Sequence, residues 1–456
     1  MGTGYRENAL IDPSAYDSPA GLSLEQVHVY VRHGERTPVG NRMTSPPASI
    51  PEFWPFCRVA RQFNAAVLGH GHARETQELL RVTERKDGTS VDGECMLGEL
   101  TDLGRQSTLG IGTALHDIYV KRLNFLPDAI DATTGIIYLR STAFPRTIES
   151  LQQVLHGIYP TGKFLNGSVP RIRVRHPIDE NLMGNNACAR FKELMAGFER
   201  AAAEKYNPLL TTLDGRLSRY IGGNPVRIDG KPRASGILDT IRAAVSHDVK
   251  VPAEFKDPEI MRPIEEAVVA EWFDGYKNDE VRRLAVGRLL EELSSRMASK
   301  ASKGNADPLK IAINACHDTS LAGLSQTLDV FDGRWPHFTA SITFELFKGT
   351  PTAPKGVFQK FFGSSEPAPH YVRMRYGNRS LKLPLCAAPG RHLLGSPEFC
   401  TLEAFSKRAT ELAPIDWESE CQATTTSKAK LKITKAADAA VVTQQIVPAK
   451  VVVKEI

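Results

Sequence analysis

The sequence predicts an α/β fold in which a doubly wound, mainly parallel sheet has helices on both faces and accommodates an inserted, mainly helical cap domain. Three times, at 27–38, 136–159 and 310–328, a short β-favouring run ends in a polar loop that brings charged side chains to the strand's carboxyl end, which is where open α/β sheets gather ligand groups. Between Pro160 and Pro308 the pattern changes to long helical periodicities broken by Pro and Gly. A chain of 456 residues, 41% hydrophobic and 24% charged, can bury a large core in one big or two unequal units. The expected division is an α/β core over 24–159 and 309–412, a helical cap over 160–308 and an N-terminal arm over 1–23. A disordered tail is expected over 423–456, where a Thr-, Lys-, Ala- and Val-rich composition shows no sustained helical face.

In the first unit Val27, Val29 and Val31 alternate with His28 and Tyr30, so the run forms a strand that Gly34 and Pro38 then break. The strand delivers Arg32, His33 and Arg36 to its end. A histidine between two arginines, on a turn where Gly34 lets the backbone come close to a ligand, suits an imidazole nucleophile attacking a phosphoryl group whose oxygens the guanidiniums hold. Residues 43–55, rich in Pro and Ser, read as a loop leading away over the mouth of such a site. Thr101 caps a helix with Leu109, Ala114, Leu115 and Ile118 on one face.

The second unit runs from a buried strand, Ile136 to Leu139, through Arg140-Ser-Thr to a helix that starts at Pro145 with Ile148, Leu151, Leu155 and Ile158 on one face. Arg146 reads as a surface or packing residue of that helix. Within the helical stretch, Val286, Leu289, Leu290, Leu293 and Met297 fall at helical spacing, while His176 to Cys188, with Asn181, Asn185 and Asn186, is polar enough to line a roof over a site.

The third unit is a strand over 310–315, then Cys316-His317-Asp318-Thr319, then a helix with Leu321, Leu324 and Leu328. His-Asp alone is an ordinary helix cap. Paired with the first unit it acquires chemistry, because phosphoryl transfer needs a proton for the leaving alkoxide: Asp318 is placed to supply it, and His317 to donate to a phosphate oxygen. Residues 341–347 and 371–376 alternate as strands, the latter turning through Gly377-Asn378 into 381–383.

The charge of +5 is spread thinly, so it fits small anionic substrates and offers no block for nucleic acid. No apolar run is long enough for a membrane span, so no stable membrane insertion is expected. Residues 1–20 are polar, carry Asp12, Asp17 and two prolines, and have no apolar signal region. An intracellular location is therefore expected, the cytoplasm ahead of the mitochondrion. Seven cysteines, without metal-type spacing, are accordingly expected to be mostly free thiols.

Arg-His-Gly-x-Arg-x-Pro at 32–38, together with His317-Asp318, resembles the signature of the histidine acid phosphatases, and the resemblance extends over about 24–412. Within that family the chain is similar to intracellular fungal members and to the lysophosphatidic acid phosphatase branch, through segments such as 123–127 and 138–142. The resemblance implies that Arg140, in its Arg-Ser-Thr segment, completes a phosphate clamp with Arg32, Arg36 and His317, and that the cap roofs the site and sets substrate range. It also places Cys386 and Cys400 where many secreted relatives carry a disulfide, in tension with an intracellular chain. The activity implied is metal-free, cofactor-free hydrolysis of a small phosphate monoester, lysophosphatidate among the candidates, through a phosphohistidine on His33 with Asp318 as acid. A phytase or sugar-phosphate phosphatase, a phosphoglycerate-mutase-like transferase and a non-catalytic scaffold stay open at this point. The oligomeric state is not set by the sequence.

Overall fold

A computed structural model describes residues 11–59, 62–68, 74–350 and 368–423, so the expected tail lies almost wholly outside the described residues. Strand β1 (Leu22–Arg32) is followed by a hairpin of β2 (Gln62–Leu68) and β3 (Arg74–Leu80) and by helix α1 (Asp102–His116). The Thr101 hydroxyl caps α1 by accepting the Gly104 N–H. Next come β4 (Ile137–Ser141) and α2 (Pro145–Ile158), whose first residue is a proline with no N–H to waste there. The short β5 (Ile172–Arg173) leads into helices α3 (Ala189–Leu210), α4 (Asp214–Leu217), α5 (Ala234–Ser246), α6 (Pro258–Phe273), α7 (Asp279–Arg282) and α8 (Arg288–Lys303). The chain returns through β6 (Ile311–Cys316), α9 (Asp318–Thr327), β7 (Ser341–Gly349), β8 (His370–Tyr376) and β9 (Arg379–Leu381). It closes with β10 (His392–Leu393), β11 (Ser396–Thr401), α10 (Leu402–Leu412) and α11 (Trp417–Glu420).

The main sheet has the order β10-β11-β8-β7-β1-β6-β4-β5, with β9 on β8. It is mixed: β1, β6, β4 and β5 run parallel, while β7 pairs antiparallel to β1 and begins an antiparallel half. The α/β class therefore holds, with parallel pairing confined to the half that carries the three predicted units. In the antiparallel half β8 turns directly into β9 at Gly377 and Asn378, as antiparallel neighbours can.

Val27, Val29 and Val31 on β1, with Ile311, Ile313 and Ala315 on β6, pack under α1 and α2. The opposite face of the sheet, including Tyr30, Ile342 and Phe344, is covered by Leu289, Leu290 and Leu293 of α8 and by residues of α9 and α10. Thus α8, though within the 160–308 stretch, lies on the sheet. A separate core joins residues of α3, α5 and α6 to Met43, Ile50 and Trp54 of the Pro-rich loop. No helix among the described residues is long and apolar enough to cross a membrane.

The cysteine expectation is corrected. Cys57–Cys95, Cys188–Cys421 and Cys386–Cys400 are disulfides, and only Cys316, buried, is free among the described residues. Partners 38, 233 and 14 residues apart meet only in the folded chain, with Cα atoms 4.6 to 5.4 Å apart, so spacing alone carried no sign of them; the resemblance had pointed to Cys386 and Cys400, and that bridge is present.

Candidate active site

The site is built at the carboxyl ends of β1 and β6 and the first turn of α2. The signature loop is seated on α1 by two glycines: a Cβ on Gly34 would lie 2.3 Å from the Gly104 oxygen, and a Cβ on Gly104 would lie 2.2 Å from the Glu35 oxygen. Any side chain at either position would push the loop off the helix. The Gly34 N–H donates to Ser150 Oγ of α2 at 3.1 Å, so the turn is held from two helices.

His33 is 2% exposed. Its Nδ1 is 2.9 Å from the Gly34 carbonyl oxygen, which can only accept. Nδ1 must therefore hold the ring proton, leaving a lone pair on Nε2. Burial, reinforced by Arg32, Arg36, His317 and Arg146, keeps the imidazole well below its usual range, so it stays neutral in acid. His317 packs edge-on to it, with ring centroids 5.6 Å apart, and is anchored through Nε2 to Thr142 Oγ1 at 3.0 Å. Burial and Arg146 push His317 down to about 3 against the pull of Asp318.

Asp318 begins α9 beside these rings. Its Oδ2 lies 2.7 Å from Arg32 Nη2 and accepts from Trp335 Nε1 at 3.1 Å, and its Oδ1 accepts the Thr319 N–H at 2.8 Å. Burial would raise this carboxyl, but Arg32, His317 and Arg36 outweigh it and hold Asp318 below the ordinary carboxylate range. Arg32 is fixed by the Pro336 carbonyl at 2.6 Å and lies 4.3 Å over the Phe338 ring. Arg36 donates to the Thr37 carbonyl and pairs with Asp239 of α5 at 2.9 Å. Arg32, His33, Arg36, His317 and Asp318 are thus brought together.

Arg140 is not with them, and its expected place in the clamp is corrected. Strand alternation aligns Arg140 with Asn314, and Asn314 with Tyr30, on the face turned to α8. There its guanidinium is enclosed by Glu180 at 2.5 Å, Asn181 at 2.6 Å and Glu292 at 3.3 Å. The third guanidinium of the site is Arg146, which acts electrostatically on both His33 and His317 and has no carboxylate partner among the described residues. Its buried Nε has no hydrogen-bond partner. The overlooked signal was Pro145: a proline at the first helical position puts Arg146 in the first turn, over the strand ends.

Three cations around a neutral imidazole with a free Nε2, beside a carboxyl group, can hold an oxyanion while nitrogen attacks its phosphorus. Comparison with known proteins agrees with this chemistry. Residues 23–377 match the profile of the Histidine phosphatase superfamily (branch 2), and the chain belongs to that family. It is a phosphoric monoester hydrolase of the acid phosphatase type. It is 34% identical over 446 residues to a protein of Schizosaccharomyces pombe described as a probable acid phosphatase, covering 89% of this chain and 95% of the relative. The human testicular acid phosphatase is 28% identical over 334 residues, 70% of this chain and 72% of the relative. Among solved structures, the Hafnia alvei phytase shares the fold at a TM-score of 0.56 and 15% identity, covering 89% of this chain and 100% of that one.

The two arginines separate by experiment. Arg146→Ala should lower kcat/KM for an aryl phosphate by about 10²- to 10³-fold with little change in unfolding free energy, as loss of one oxyanion donor does. Arg140→Ala should destabilise by about 3 kcal/mol, because Glu180 is left buried without its cation while Glu292 keeps Arg175 and Arg296, and the folded fraction should keep its kcat/KM. The reverse pattern in paired kinetics and urea melts would return Arg140 to the clamp.

Proposed function

We propose that this hydrolase works in two steps through a phosphohistidine, and that it prefers monoesters with one phosphate and an uncharged, largely apolar leaving group, lysophosphatidate-like lipids among them. The observation that carries the mechanism is the His33 Nδ1 bond to Gly34, which aims the nucleophilic pair onto Nε2 within the cation cluster. His33 Nε2 forms the N–P bond as the ester P–O bond breaks, and the Asp318 carboxyl proton passes to the departing oxygen. Water then attacks phosphorus, its proton goes to the Asp318 carboxylate, the N–P bond breaks and inorganic phosphate leaves. Arg32, Arg36, Arg146 and His317 hold the phosphoryl oxygens through both steps. In the ligand-free protein Asp318 is ionised against Arg32. An entering phosphoryl group draws on that guanidinium and places an anion beside the carboxyl, which favours its protonated form.

Charge pairing supports the substrate preference. Arg32 pairs with Asp318, Arg36 shares Asp239 with Arg42, and Arg242 pairs with Glu265, whereas Arg146 has no ion pair among the described residues. Such a site suits one phosphate better than several. Its surroundings are aromatic: Phe144 packs on His317 and is 42% exposed, while Trp335, bonded to Asp318, packs on Trp272, 41% exposed. The three disulfides favour an oxidising compartment over the cytoplasm expected from the N-terminal residues. At acid pH, kcat/KM for lysophosphatidate should exceed that for inositol hexakisphosphate by at least about tenfold. A clear preference for the hexakisphosphate would overturn this substrate class.

A further inference from the structure

The Asp239 carboxylate was invisible in the sequence, and nothing in the two-step mechanism needs it. It projects from α5 into a seat made by the signature loop: Oδ1 lies 2.9 Å from Arg36 Nη2, while Oδ2 accepts the Val39 N–H at 3.0 Å and lies 3.6 Å from Arg42 Nη1. Its side chain is 14% exposed. Its charge also acts on Arg32 and Arg146, so it faces the cluster as well as its direct partners. A carboxylate seated among guanidiniums occupies electrostatically the place a phosphoryl oxygen would want. Arg36 Nη1 donates to the Thr37 carbonyl and Nη2 pairs with Asp239, so an incoming oxyanion must share this guanidinium with a carboxylate and reach it through the N–H donors left over.

We propose that Asp239 is a specificity-determining counter-ion that weakens the site's hold on phosphate and selects against leaving groups bearing further negative charge. The proposal rests on the catalytic reading of the same site. Two consequences follow from Coulomb's law. Removing the charge should strengthen binding of any phosphate or vanadate ion, by about tenfold for one unit charge acting over several ångströms at an intermediate dielectric. It should also favour polyanionic esters over singly charged ones, since each added phosphate meets the same repulsion. A purely structural role, holding Arg36 and the loop in place, makes the opposite prediction: its loss would loosen Arg36 and weaken phosphate binding.

The test is calorimetric titration of inorganic phosphate and of vanadate into the full chain at fixed ionic strength, for wild type, Asp239→Asn, Asp239→Ser and Asp239→Glu. Asparagine keeps an acceptor for the Val39 N–H, serine is a second neutral variant should the amide fold poorly, and glutamate restores the charge. Both neutral variants should bind phosphate about tenfold more tightly, with glutamate returning affinity toward wild type. In steady state Asp239→Asn should raise the kcat/KM ratio of inositol hexakisphosphate to p-nitrophenyl phosphate by about as much. Phosphate affinity that is unchanged or weaker in the neutral variants would overturn the proposal. Because binding is read without turnover, that result stays distinct from failure of the catalytic reading, which would appear as a wild-type protein unable to hydrolyse aryl phosphates.

Discussion

His33→Ala is expected to abolish turnover, with a loss of about 10⁵-fold or more in kcat, the scale seen when a covalent nucleophile is removed. The fold should survive, because the ring makes one hydrogen bond among the described residues, to the Gly34 carbonyl, and the loop is held independently by the Gly34 N–H bond to Ser150 and the Thr101 N–H bond to the Glu35 carbonyl. Circular dichroism and a thermal melt would check this, with a stability change of about 1–2 kcal/mol at most. The same residue determines the acid side of the pH profile. A histidine held well below its usual range is deprotonated, and so nucleophilic, at pH values where an exposed imidazole is already a cation. Lowering the pH from about 7 to 5 should therefore not cost activity through His33. Raising it above about 6 should cost activity, because Asp318 is ionised in the free protein and the substrate then loses the second phosphate proton that the step requires. A kcat/KM profile that fell on the acid side with an apparent pKa near 6.5 would mean that the ring is not shielded as the structure places it.

Asp318→Asn is expected to lower kcat on alkyl phosphates by about 10²- to 10⁴-fold, the usual range for general acid catalysis, and distinctly less for the first step with p-nitrophenyl phosphate. The difference follows from what leaves. An alkoxide from a lipid or sugar ester is strongly basic and needs the proton, whereas p-nitrophenolate departs without it. Asparagine keeps one oxygen, which can accept either the Thr319 N–H or the Trp335 Nε1–H, sets its amide nitrogen against the other donor, and loses the charge opposite Arg32. Single-turnover rates across a series of leaving groups should show a steeper dependence on leaving-group pKa in the variant. A uniform loss across the series would reassign Asp318 to capping α9 or setting Arg32, and the proton donor would have to be another group.

The legible parts of this protein were those written in local sequence. The strand expected over 136–139, the proline that opens α2 and the run into Cys316 placed their elements to within a few residues, and the valines at 27–31 found the carboxyl half of β1, because period-two burial and helix starts are local properties. The same alternation, followed one step further, would have put Arg140 on the face of Tyr138 and away from the site; the strand end alone does not say which way a side chain points. Asp239 could not have been found. It has no motif, stands about 200 residues from Arg36, and reaches it only because α5 packs through Ile237 and Ile241 into a core shared with the 43–57 loop. The Cys57–Cys95 and Cys188–Cys421 partners and the short β2, β3, β10 and β11 pairings were hidden for the same reason, since each depends on a neighbour that only the folded chain supplies, whereas the resemblance had already pointed to Cys386 and Cys400.

The central claim is the covalent bond to His33, and rapid-quench labelling tests it most directly. Asp318→Asn should be mixed with p-nitrophenyl phosphate bearing radioactive phosphorus and quenched under alkaline denaturing conditions, where a phosphohistidine survives and a phosphoserine ester is lost. Because the first step needs little proton donation and the second relies on Asp318, label should accumulate on the protein within one turnover, approach one phosphate per chain and map to the peptide containing His33. A competent enzyme that released all its nitrophenolate with no protein-bound phosphate at any time, or that carried the label on another residue, would contradict the account.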